Sequence, residues 1–123
     1  MAEHNRIGAW GEDRVCEYLV AEGYAITERN WRMNHLELDI VAEKDGWIAF
    51  VEVKTRRNEG EKLSDVINPR KIARIVSAAN GYITSHAIEL KPRFDVAFVF
   101  GTPSDFRIEY IPDAFFPRLR TYR

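Results

Sequence analysis

The stretch Trp47-Ile48-Ala49-Phe50-Val51-Glu52-Val53-Lys54-Thr55-Arg56 carries a nearly continuous apolar run, Ala49, Phe50, Val51 and Val53, broken by two charges. Such a run is the pattern of a strand covered on both faces. Side chains alternate across a strand, so Glu52 and Lys54 share a face with Ile48 and Phe50, while Ala49, Val51 and Val53 point the other way. An acid and a base are thereby set on an inner face, where an unpaired charge is costly even after the surroundings relax. A partner, an ion or a wet cleft has to account for them.

The segments on either side supply the rest of the architecture. Residues 36–43 alternate, with Leu36, Leu38, Ile40 and Ala42 on one face and Glu37, Asp39, Val41 and Glu43 on the other. Lys44-Asp45-Gly46 has hairpin chemistry, which pairs this strand antiparallel with the Glu52 strand. Asp39 then falls roughly opposite the segment from Phe50 to Glu52. Further upstream, residues 24–31 read as a strand and 32–35 as a turn. Residues 5–22 read as a helix stopped by Gly23. Gly8, Gly11, Val15, Tyr18 and Leu19 form its packing side, and Glu12 borders that side, the helix carboxylate best placed to look inward.

Downstream, residues 58–66 are polar and contain glycine, the best candidate for a mobile loop. Asn68 can cap a helix with Pro69 at its first position; Ile72, Ile75, Val76, Ala79 and Ile83 form the apolar stripe, and Lys71 and Arg74 share a flank. Residues 93–100 make the next strand, 101–105 a turn and 106–111 a more exposed strand, followed by an aromatic and basic tail with Phe115, Phe116, Arg118, Arg120 and Arg123. The order α-β-β-β-α-β-β predicts an α/β fold, a mixed central sheet flanked by helices. The crossing helix should make strands three and four parallel, with a right-handed connection.

Length and composition suit a single domain over residues 1–123: 46% of the chain is hydrophobic and 30% charged. One cysteine, Cys16, cannot make an internal disulfide, and no run approaches the length of a membrane span, so a soluble cytoplasmic protein is expected. Eighteen basic residues against 19 acidic ones give a formal net charge of −1, no global sign of a nucleic-acid partner. The basic charge is local. From Glu52 to Arg74 there are seven basic residues and four acidic ones.

Asp39 and Glu52 on adjacent strands, with Glu12 brought from the first helix, would gather carboxylate oxygens around one point. Hard oxygen ligands favour Mg2+ or Mn2+ over zinc. A metal there could hold a phosphate oxygen, acidify a bound water and offset charge in the transition state, with Lys54 facing the phosphate. These parts suit phosphodiester hydrolysis.

Asp39 followed by Glu52-Val53-Lys54 resembles the D...(D/E)-x-K core of the PD-(D/E)XK nuclease superfamily, whose restriction-endonuclease-like fold has a helix, a three-stranded antiparallel meander, a crossing helix and a further strand. The chain is still more similar to the YraN-type, endonuclease-like family of bacteria, related to archaeal Holliday junction resolvases. That similarity runs through Gly8-Ala9-Trp10-Gly11-Glu12, Arg29-Asn30-Trp31, Glu37-Leu38-Asp39-Ile40-Val41, Phe50-Val51-Glu52-Val53-Lys54-Thr55-Arg56 and Arg93-Phe94-Asp95-Val96. The resemblance implies that Asp39 and Glu52 bind the divalent metal, that Lys54 is the catalytic lysine and that Glu12 is the helix acid. Where many superfamily nucleases have a glutamine on the crossing helix, Lys71 or Arg74 fills the neighbourhood. Resolvase-like relatives also imply a homodimer, since one site cuts one strand and a symmetric junction needs two.

Taken alone, Glu52 with Lys54 reads as a same-face ion pair, because E-x-K is short and common. Asp39 and Glu12 tip the balance, since three like charges share a site cheaply only with a cation. Asp95 beside Arg93 reads as a structural pair, whereas Arg56, Arg57, Lys71 and Arg74 read as phosphate contacts at the mouth of the acidic site. The expectation is therefore a metal-dependent endonuclease acting on DNA, branched or damaged DNA included. The alternative is a noncatalytic nucleic-acid-binding module that keeps the fold.

Overall fold

The computed structural model describes residues 2–57, 60 and 62–116. The loop residues Asn58, Glu59 and Glu61 and the tail residues Arg118, Arg120 and Arg123 lie outside these. Helix α1 (Ala2–Ala21) leads into β1 (Ala25–Met33), β2 (Leu36–Lys44) and β3 (Trp47–Arg56); a single turn, α2 (Leu63–Val66), and the crossing helix α3 (Pro69–Ser85) precede β4 (Lys91–Thr102) and β5 (Asp105–Phe115). The five strands form one sheet in the order β1-β2-β3-β4-β5. Every neighbouring pair is antiparallel except β3 and β4, which run parallel on either side of the crossing helix. This is the mixed α/β architecture expected from the sequence.

Local chemistry sets the ends of the helices. Gly23 takes φ +96°, and the Tyr24 N–H donates to the Leu19 carbonyl at 2.9 Å, so α1 closes with a left-handed glycine. Asn68 accepts from the Lys71 N–H at 2.9 Å with Pro69 in the first turn, which starts α3 where the sequence predicts. The segment expected as a loop over residues 58–66 differs from that expectation at its end. Leu63 and Val66, three residues apart, turn onto the core and make α2, with Val66 buried.

Each face of the sheet has its own core. Beneath α3 lie Phe50, Phe94, Phe98 and Phe100, meeting Ile75, Ala78, Ala79 and Tyr82 of the helix. Of these helix residues the apolar stripe foretold Ile75 and Ala79, but not Ala78 or Tyr82. Beneath α1 lie Ile40, Ala42, Ala49, Val51, Ala97 and Val99, against Val15 and Leu19. These two side chains are fully buried, and at about 1.5–3 kcal/mol each they fix the helix on the sheet. At Gly11 helix and strand come close: a Cβ there would stand 2.0 Å from Thr55 Oγ1, so any larger residue would force Thr55 or the helix to shift.

The regular alternation expected over residues 36–43 does not hold. Leu36 and Leu38 belong to the α3 side, whereas Ile40 and Ala42 belong to the α1 side. The phase changes at Asp39. In β1 the same happens at the same level, because Trp31 packs on the α3 side while Arg29 reaches the acids of α1. The residue between them, Asn30, has φ +52° and stands between the Arg29–Ile40 and Trp31–Leu38 pairs of the ladder. Asparagine tolerates the left-handed conformation better than most side chains. The two strands therefore turn over together, in register, at Asn30 and Asp39.

Candidate active site

The turnover opens the site. The β2–β3 ladder ends at Ile40 opposite Val51, while β3 continues beside β4 as far as Arg56 opposite Phe100. Asp39 stands at the fork, and its Oδ2 accepts the Val53 N–H at 2.9 Å, taking the place of a ladder carbonyl. Beyond it a cleft of about 750 Å³ opens between the start of α1, β3 and the start of α3. Glu12, Asp39, Glu52, Lys54, Arg56, Arg57 and Lys71 all line it.

Glu52 is only 8% exposed, and its charge is answered by two lysines on one oxygen. Lys71 Nζ lies 3.0 Å from Oε2 and Lys54 Nζ 3.5 Å from the same atom. Asp39 is not answered in this way. Burial first and the charge of Glu52 second push its carboxyl up to about 7, against the pull of the Val53 N–H; Glu12 and Glu37 add in the same direction. Glu12 is half-buried on the α1 side. Asn30 Nδ2 donates to its Oε1 at 3.0 Å, and the Arg29 guanidinium lies 3.5 Å away while also pairing with Asp13 at 2.8 Å. Burial raises the Glu12 carboxyl, and these two partners oppose the rise.

Arg74, expected as a phosphate contact, stands apart from the cleft, and so does Glu37, two residues before Asp39. Arg74 donates to the His35 carbonyl at 3.3 Å. Glu37 is exposed and faces Arg32 at 3.8 Å. Asp95 is fully buried and structural, as the sequence suggests: Arg93 grips both of its oxygens, Tyr110 donates its hydroxyl, and the Asp113 N–H donates at 3.0 Å. Burial and this carboxylate raise the Tyr110 phenol far above its usual range. This network ties β4 to β5.

Asn30, Arg29 and Thr55 were not singled out by periodicity or spacing. The signal that could have found Asn30 is an asparagine interrupting an otherwise β-prone segment, where a left-handed residue is cheap. Nothing in the spacing of Lys71 pointed to Glu52 as its partner.

The donors suit a hard divalent cation in kind, being carboxylate oxygens without sulfur or imidazole. Among the described residues, however, no three Asp, Glu, His or Cys side chains already converge as a cage. Glu52 is turned to its lysines and Glu12 to Asn30, so a cation would draw on Asp39 first and on Glu52 once its lysines yield.

A family model described as the uncharacterised protein family UPF0102 matches residues 11–99. The chain belongs to the UPF0102 family. Within that match fall Glu12, Asp39, Glu52, Lys54 and all four of the basic residues considered as phosphate contacts. A UPF0102 protein of Bacteroides fragilis is 48% identical over 120 residues, covering 97% of this chain and 99% of the relative. UPF0102 proteins of Bacteroides thetaiotaomicron and Flavobacterium psychrophilum are 44% and 41% identical, over 97% and 94% of this chain and 99% and 98% of the relatives. The similarity to the YraN-type family drawn from the motifs is borne out. Among the described residues no helix of this UPF0102 protein is long and apolar enough to cross a membrane.

Proposed function

We propose that this UPF0102 protein is a metal-dependent endonuclease of the cytoplasm that hydrolyses DNA phosphodiester bonds, branched or damaged DNA included. One observation carries the reading: Asp39, Glu52 and Lys54 meet where β2 parts from β3, in a cleft lined by Arg56, Arg57 and Lys71. A half-buried carboxylate raised by its partial burial and then by a second carboxylate is an arrangement that a divalent cation relieves. Mg2+ or Mn2+ bound by Asp39 and Glu52 would supply a Lewis acid for a phosphoryl oxygen and a more acidic water.

The chain's own residues do the remaining work. The Val53 N–H fixes the Asp39 carboxylate at the fork. Lys54 carries its ammonium on the same strand face as Glu52, where it can offset negative charge growing on a phosphate. Arg56, the last residue of β3, and Arg57 just after it suit the flanking phosphates. Glu12, steadied by Asn30, faces the cleft from the helix side and can take up a water or complete a cation's shell.

Incubation with Mg2+ or Mn2+ and linear, flapped and four-way-junction DNA tests the reading. Cleavage that disappears in Asp39→Ala and Glu52→Ala is the expected result, and cleavage that survives either change overturns the assignment. A noncatalytic DNA-binding module is the second reading, favoured by the two lysines already on Glu52 Oε2. It expects salt-dependent binding that ignores the metal and is never followed by cutting.

A further inference from the structure

Lys71 stands where local chemistry does not favour it. It is the third residue of α3, whose first turn carries Arg70 and Lys71 and no acid. A helix N-terminus has a partial positive charge, so cations there are disfavoured and anions welcome. A residue that breaks a local rule without a local return marks a position held for another purpose. Its ammonium, meanwhile, reaches across to Glu52 Oε2 at 3.0 Å, closer than Lys54, and so is the nearest counter-charge of the most buried acid in the cleft. The Lys71 side chain is only partly covered, with 36% exposed, and its stem can swing into the cleft without disturbing the core.

From this geometry we infer that Lys71 is an internal counter-ion, which a divalent cation displaces from Glu52 and which then turns to a phosphate of the bound DNA. The inference rests on the metal-site reading above. Before the cation arrives, Glu52 needs a positive partner, because a buried carboxylate left alone is costly. Lys71 provides it. A cation at Asp39 and Glu52 takes over that role, and the released ammonium, already at the wall of the cleft, can pair with a phosphate of the DNA there. Cation and DNA are thus linked through one side chain: each makes the other bind more tightly, and Lys71 carries part of the coupling.

The test is calorimetric titration of Mn2+ into the wild-type protein and into Lys71→Met and Lys71→Arg, without DNA. Removing the competing ammonium should tighten Mn2+ binding about tenfold in Lys71→Met, while Lys71→Arg stays near the wild type. Equal or weaker binding by Lys71→Met, with Mn2+ still bound by the wild type, overturns the inference and leaves the metal site standing. No Mn2+ binding by any of the three proteins overturns the metal site and the inference together. Melting curves give a readout independent of absolute affinity: Lys71→Met should melt lower than the wild type in chelator and gain more from Mn2+. An equal gain contradicts the exchange. Anisotropy of a labelled four-way junction, measured with and without Ca2+, follows the second half. The Ca2+-dependent gain in DNA affinity should be smaller in Lys71→Met, and an unchanged gain excludes the transfer to phosphate.

Discussion

Asp39 is held at the fork by one backbone N–H and faces an acid whose lysines do not serve it. With its carboxyl raised to about 7, the folded protein keeps a proton that the unfolded chain gives up near pH 4. The stability this group contributes is therefore present at low pH and lost as pH rises through that window. In chelator, Asp39→Asn should remove the loss, raising stability at pH 8 by about 1–2 kcal/mol relative to wild type and flattening the pH dependence. Denaturant unfolding at pH 5 and pH 8 checks this, and an Asn variant less stable at pH 8 contradicts it. On the proposed reading, such a gain would come with a loss of function, as is usual where like charges are gathered for chemistry. Asp39 and Glu52 were legible in the sequence as neighbours across a hairpin. The role of Lys71 was not, because its partner lies on another element and only the packing of α3 brings the two together.

At the scale of the element, the strands were legible where alternation held and not where it broke. β4 reads from its sequence without error of face, Phe94, Val96, Phe98 and Phe100 on one side and Ala97 and Val99 on the other. β2 does not, since its polar and apolar residues continue to alternate through Asp39 while the backbone turns over beneath them. Asn30 and Asp39 share that turnover, and it is what parts β2 from β3 and makes the cleft. The close approach of α1 to β3 gives a prediction at this scale. Gly11→Ala sets a Cβ against Thr55 Oγ1, so it should cost about 1–3 kcal/mol in urea denaturation, as overpacking does. Thr55→Ala in the same chain should recover part of the loss. A neutral Gly11→Ala contradicts the packing described.

Across the whole molecule the charge is nearly balanced, yet Lys54, Arg56, Arg57 and Lys71 gather along one cleft. On the proposed reading, association with DNA should be local and salt-dependent rather than driven by net charge. Arg57→Ala should weaken binding to all DNA forms alike and lower the slope of log affinity against log salt by about one unit. A slope unchanged by this substitution removes Arg57 from the interface. The order of elements and the mixed sheet were legible from hydrophobic periodicity and turn residues; the joining of both faces in one cleft was not, because it depends on where two strands part. The central claim is that Asp39 and Glu52 form the cation site at that fork. Diffraction from a crystal soaked in Mn2+ tests it most directly: the account predicts an anomalous peak between the two carboxylates, with Lys71 moved off Glu52, and a soaked crystal with no peak there would contradict it.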